Sequence, residues 1–152
     1  MAARLPPALN LAVLCSYVEF DGNQRPFSLN EPQYAIGVLP DEHGRLSAPE
    51  LTLYVQLDDE HALGTFWFLI EARTASGFVI PGGRTARTEI TFTGNPDPMV
   101  PFEHAFDLRD LVFPEPGWYH FHVVCNHTSL NERSAFPASR LRVVPAERSA
   151  RG

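Results

Sequence analysis

The chain has 152 residues, 44% of them hydrophobic, with 14 prolines, 10 glycines and a formal net charge of −6. That is enough for one domain with a full core, too little for two, and too apolar for global disorder. The acidic balance argues against a nucleic-acid partner, whose binding face is normally basic, and no run approaches the ~20 apolar residues of a bilayer-crossing helix.

In chain order, "MAARLPPALNLAVLC" has one early arginine and a short apolar run broken by Pro6, Pro7 and Asn10. No small-residue cleavage site follows it, so residues 1–8 are expected to form an irregular arm rather than a signal peptide. Period-two alternation then begins. Leu9, Leu11, Val13, Cys15 and Tyr17 fall on one face of a first strand, and Ala12, Leu14 and Val18 on the other. Asp21-Gly22 marks a turn, and 21–32 reads as a long loop. A weaker strand, "QYAIGVL", stops at the turn residues of "PDEHG".

The clearest alternation is "LTLYVQL", with Leu51, Leu53, Val55 and Leu57 facing the core. "TFWFLIEART" sets Phe66, Phe68 and Ile70 against Trp67, Leu69 and Glu71. "GFVI" leads into "PGGR", too short for a phosphate loop and read as a turn. "RTEITFTG" alternates Ile90 and Phe92 with polar residues, and 94–101 is an irregular linker. In "FEHAFDLRDLVF" Phe102, His104, Phe106 and Leu108 share a face. "PGWYHFHVVCN" follows, then "SRLRVV", and 145–152 is a polar tail expected to fray.

These eight or nine strands, with no long helical period, predict a single-domain antiparallel β-sandwich over 9–144, immunoglobulin-like or jelly-roll in topology.

The stretch before Cys125 carries the main chemical question. Trp118, His120, His122 and Val124 point one way along the strand, and Tyr119, Phe121, Val123 and Cys125 the other. A His-x-His pair on a strand can chelate a metal, as in cupin jelly rolls, with His104 as the possible third ligand. No glutamate follows until Glu132, however, and His127 lies beyond the strand end. The structural reading is Gly117-x-Tyr119-x-Phe121-x-Val123, the pattern of a penultimate sandwich strand whose tyrosine closes a corner through its hydroxyl. Cys125 lies six residues after that tyrosine rather than two, so a strict antibody-type arrangement is not expected.

The segments "LAVLCSYVEFDGNQ", "FDLRDLVFPEPGWYHFHVVCN" and "LRVVP" resemble a family of small bacterial all-β proteins of unknown function. The resemblance implies the fold and brings no ligand, activity or catalytic residue with it.

All twelve positive charges are arginines, because the chain lacks lysine. Guanidinium groups suit anions, but these are scattered along the chain, so the bias reads as compositional. "DDEH" at 58–61 lacks the ligand spacing of a calcium loop, and no Gly-x-Ser-x-Gly elbow exists. With only Cys15 and Cys125, a disulfide framework is not indicated, and a cytoplasmic protein with free, buried thiols is expected.

The function expected is a non-enzymatic binding or assembly module without a cofactor. Its partner would be a protein or small ligand, with no nucleic acid or membrane involved. Trp118, His120, His122, Trp67 and Tyr54 are its candidate contact residues, alongside the loops at 21–32 and 94–101. The alternative is a metal-dependent jelly-roll enzyme using His120, His122 and His104.

Overall fold

The computed structural model describes residues 6–20, 26–32, 35–38, 40, 43–47, 50–59, 61–94, 101–133 and 139–145. These form eleven strands: β1 Ala8–Phe20, β2 Pro26–Pro32, β3 Ala35–Val38, β4 Thr52–Asp58, β5 Leu63–Thr74, β6 Val79–Arg84, β7 Thr88–Thr93, β8 Phe102–Asp107, β9 Gly117–Cys125, β10 Thr128–Ser129 and β11 Ser139–Pro145. The only helical element among them is one 3-10 turn, Leu130–Arg133. No described helix is long and apolar enough to cross a membrane.

The strands make two sheets packed face to face. The first runs β2-β1-β4-β8, and the second β3-β11-β9-β5-β6, with β7 also on β5 and β10 on β9. All pairs are antiparallel except β3 with β11. Pairing β4 with β8 in one sheet and β5-β9-β11 in the other is the arrangement of an immunoglobulin-type Greek key. The two sheets are tied at one point by Ser139, whose hydroxyl on β11 donates to the Ala12 carbonyl on β1 at 2.6 Å.

Alternation decides the core. Leu53, Val55 and Leu57 of β4 meet Phe68 and Ile70 of β5 and Phe121 and Val123 of β9, all 0% exposed. Phe113 brings the β8–β9 connection into this core, held by a bridge to Leu46 and a ring contact with Tyr119 at 4.8 Å. The tyrosine corner is present, because the buried Tyr119 hydroxyl donates to the Glu115 carbonyl four residues upstream.

Four expectations need correction. A register shift between Leu9 and Leu11 changes the phase of β1, so Leu9 pairs with Leu57 on the core side while Val13 and Cys15 share the outer face with Tyr54 and Thr52. Residues 26–32 are a strand rather than loop, because β1 is long enough to pair with them at Cys15↔Pro32 through Phe20↔Pro26. "PGGR" lies inside β6, where pairing on one side only tolerates Pro81, and Gly82 takes φ 69°. Ala8 and Pro145 belong to β1 and β11 rather than to the arm and tail. The Asp21-Gly22 turn, residues 1–5 of the arm, 146–152 of the tail and 95–100 of the linker lie outside the described residues.

Candidate functional site

The outer face of the second sheet gathers four of the five candidate contact residues. On β5 the outward side chains are Trp67, Leu69, Glu71 and Arg73; on β9 they are Trp118, His120, His122 and Val124. Strand register aligns them as Leu69↔Val124, Glu71↔His122 and Arg73↔His120. β11 extends the rows with Arg140↔His120 and Arg142↔Trp118. β7 places Glu89 opposite Trp67.

At one end Trp118 is 43% exposed, and the Arg140 guanidinium lies over its ring, 5.3 Å from the centroid. At the other end Arg87 covers Trp67 at 4.2 Å. The edge of His127 meets the same ring at 4.8 Å, and it does so because of the β9–β10 turn. Asn126 and His127 both take positive φ, 46° and 75°, which makes a tight two-residue hairpin of the primed kind. Asn126 clips that hairpin to β5: its side-chain oxygen accepts from the Trp67 amide at 3.0 Å, and its own amide donates to the Trp67 carbonyl at 3.1 Å.

Between the two ends Glu71 forms a clamp. Its carboxylate is 5% exposed and accepts from Arg73 Nε at 2.7 Å and Arg84 Nε at 3.0 Å. Burial by itself pushes this carboxyl up, and the two guanidinium hydrogen bonds more than reverse that, leaving it below its ordinary value. The apolar pair Leu69 and Val124 is buried beside it.

Strand pairing has therefore drawn Arg73, Arg84, Arg87, Arg140 and Arg142 to one face, against Glu71 and Glu89, in a chain whose net charge is −6. This corrects the reading of the arginines as scattered. They come from separate parts of the sequence, Arg73 on β5, Arg84 on β6, Arg87 just after β6, and Arg140 with Arg142 on β11, and sheet pairing brings these parts together.

The other candidates lie elsewhere. Tyr54 is on the outer face of the first sheet and 4% exposed, its hydroxyl donating to the Glu103 carboxylate and accepting from Gln56 Nε2 at 2.8 Å. Burial and then that carboxylate push it up to about 12. His104 pairs with Val55 on the inner side of the first sheet, its ring 4.5 Å from Phe106, and burial lowers its pKa. The structure thus leaves His104 on the opposite sheet from His120 and His122, which face away from the core. Among the described residues no group of three or more His, Cys, Asp and Glu side chains is placed to hold a metal ion.

His122 Nδ1 lies 2.8 Å from Ser129 Oγ. Ser129 is 5% exposed, and Glu71, the neighbour of His122 across the strands, has both oxygens on arginines. The contact ties β10 to β9.

Several concavities lie among the described residues, one of them along β6 from Val79 to Arg84. Another, of about 390 Å³ at the end of the first sheet, is bordered by Ser16, Glu50, Thr52 and the Asp107–Arg109 pair. A further one, about 240 Å³ and mostly apolar, lies under Pro6 and Pro7 against Leu9, Ala62 and Leu130.

No family model matches the chain, and a search of curated proteins finds no matching relative.

Proposed function

We propose that the protein is a non-enzymatic binding module and that the outer face of the second sheet, centred on Trp118, is its partner surface. The supporting observation is the exposed tryptophan with a guanidinium stacked on it, in the middle strand of a sheet face rich in arginine and histidine. Aromatic and arginine side chains carry a large share of binding energy at protein interfaces, because they give wide contact area with few bonds to freeze. The two thiols are free and buried, which supports a reducing compartment such as the cytoplasm.

The test is a screen of mixed peptides and small ligands, followed by backbone amide shifts of the labelled protein. Ligands are expected to move amides of β9, β11 and the outward positions of β5. Hits that move only the concavity around Leu9 and Leu130, or only the first sheet, would overturn the assignment.

A further inference from the structure

The five arginines of this face are not equivalent. Arg73 and Arg84 are held by Glu71. Among the described residues no carboxylate pairs with Arg87, Arg140 or Arg142. Arg87 and Arg140 instead lie against the two indoles. A guanidinium held over an aromatic face by cation–π attraction is partly positioned before a ligand arrives and keeps N–H groups free to donate. A guanidinium can meet a carboxylate with two parallel hydrogen bonds.

Resting on the reading of this face as the partner surface, we propose that its Trp118 end is a docking site for an acidic polypeptide segment, with Arg140 and Arg142 pairing with carboxylates at alternating positions of an extended chain. Arg140 and Arg142 lie two residues apart on β11, so their outward side chains repeat at about 7 Å, the same spacing as every second residue of an extended peptide. Charge complementarity supplies the attraction locally, within a Debye length of about 8–10 Å, although the whole chain is acidic.

Two other occupants fit less well. Single-stranded nucleic acid binds by stacking bases on open aromatic faces, and here each indole has a guanidinium across it. Glu71 and Glu89 on the same face, and the net charge of −6, also oppose a dense polyanion. A second copy meeting this face with the two-fold axis at Arg140 and Arg142 would set arginine against arginine.

The experiment titrates the full chain with three probes: a peptide of about ten residues alternating Glu and Thr, its Gln-Thr counterpart, and a thymidine oligonucleotide of similar length. Amide shifts and tryptophan fluorescence are the readouts. The Glu-Thr peptide is expected to shift amides of β9 and β11 and to weaken about tenfold between about 20 mM and 200 mM salt, with the Gln-Thr peptide inert. Arg140→Gln with Arg142→Gln should weaken binding by at least about tenfold while the melting curve stays in place, and Arg45→Gln should change nothing. Glu-Thr binding that survives the double variant, or no binding, overturns the proposal. Tighter binding of the oligonucleotide replaces it with a nucleic-acid surface. If the Gln-Thr peptide moves the same amides equally well, the acidic class is wrong while the partner surface stands. If no probe moves that face, both are contradicted.

Discussion

Replacing Glu71 with glutamine tests how the outer face is held together. The side chain keeps its shape but loses its charge. Its remaining carbonyl oxygen can accept from one of Arg73 and Arg84, while its amide NH2 is turned toward the other donor. A hydrogen bond involving a charged group contributes about 1.5–3 kcal/mol, a neutral one about 1. The Arg84 side chain is 61% exposed and can turn into water at little cost, whereas that of Arg73 is 21% exposed and cannot do so fully. The discounted loss is therefore about 2 kcal/mol at neutral pH rather than the 3–5 of a fully buried pair. For a chain of this size that corresponds to roughly 4–8 °C in melting temperature. The folded pKa of Glu71 lies below its ordinary 4.5, so its contribution is complete above that value and disappears as pH falls through the folded pKa. Urea unfolding of both proteins across the acid range is the assay. The gap should be full at neutral pH and close at low pH. A gap under about 0.5 kcal/mol at neutral pH, or one that widens with acid, would refute the clamp.

Tyr119→Phe removes the corner bond from the buried hydroxyl to the carbonyl of exposed Glu115. A loss of about 1 kcal/mol in urea unfolding is expected, and none would mean that the corner contributes nothing. Burial pushes the Cys125 thiol up to about 11, and it raises that of Cys15 as well. Alkylation of the native protein at mildly alkaline pH should therefore be slower by at least about a hundredfold than in denaturant, where both thiols should react without reductant. Failure of either to react in denaturant would reveal a disulfide. Changing His120 and His122 together to glutamine leaves the core side of β9 untouched and removes one bond to Ser129, so about 1 kcal/mol should be lost. The purified protein should hold less than about a tenth of an equivalent of zinc, iron or manganese, and near-stoichiometric metal lost with the histidines would restore the metalloenzyme reading.

Much of the sandwich was legible because its central strands alternate strictly. β4, β5 and β9 each show which side chains enter the core, and the outward direction of His120 and His122 follows from the same count. The Gly-x-Tyr pattern also indicated the corner that Tyr119 makes. What escaped was whatever depends on partners distant in sequence. β2 has prolines at both ends and no clear alternation, and it is a strand because β1 offers a long edge to pair with. The phase change near Asn10 arises from a register shift against β4 that local pattern cannot show. Asn126-His127 lacks the glycine that usually signals so tight a turn, so the placement of His127 beside Trp67 went unread. The basic face depends on β6, β5, β9 and β11 lying side by side, and in sequence Arg73 and Arg142 are simply far apart. Tyr54 lies on the outer face of the other sheet and is buried there by its neighbours, neither of which a single strand can reveal.

The central claim is that an acidic chain carries a locally basic face around its two tryptophans, and their fluorescence reports on that face alone. Quenching by iodide and by caesium at low ionic strength measures the local potential directly, because a basic surface concentrates the anion and repels the cation. The account predicts that iodide quenches at least about twofold more effectively than caesium once their intrinsic efficiencies are normalised on free indole, with the difference shrinking as salt screens the surface. Caesium equal to or better than iodide, as the net charge of −6 alone would give, contradicts the account.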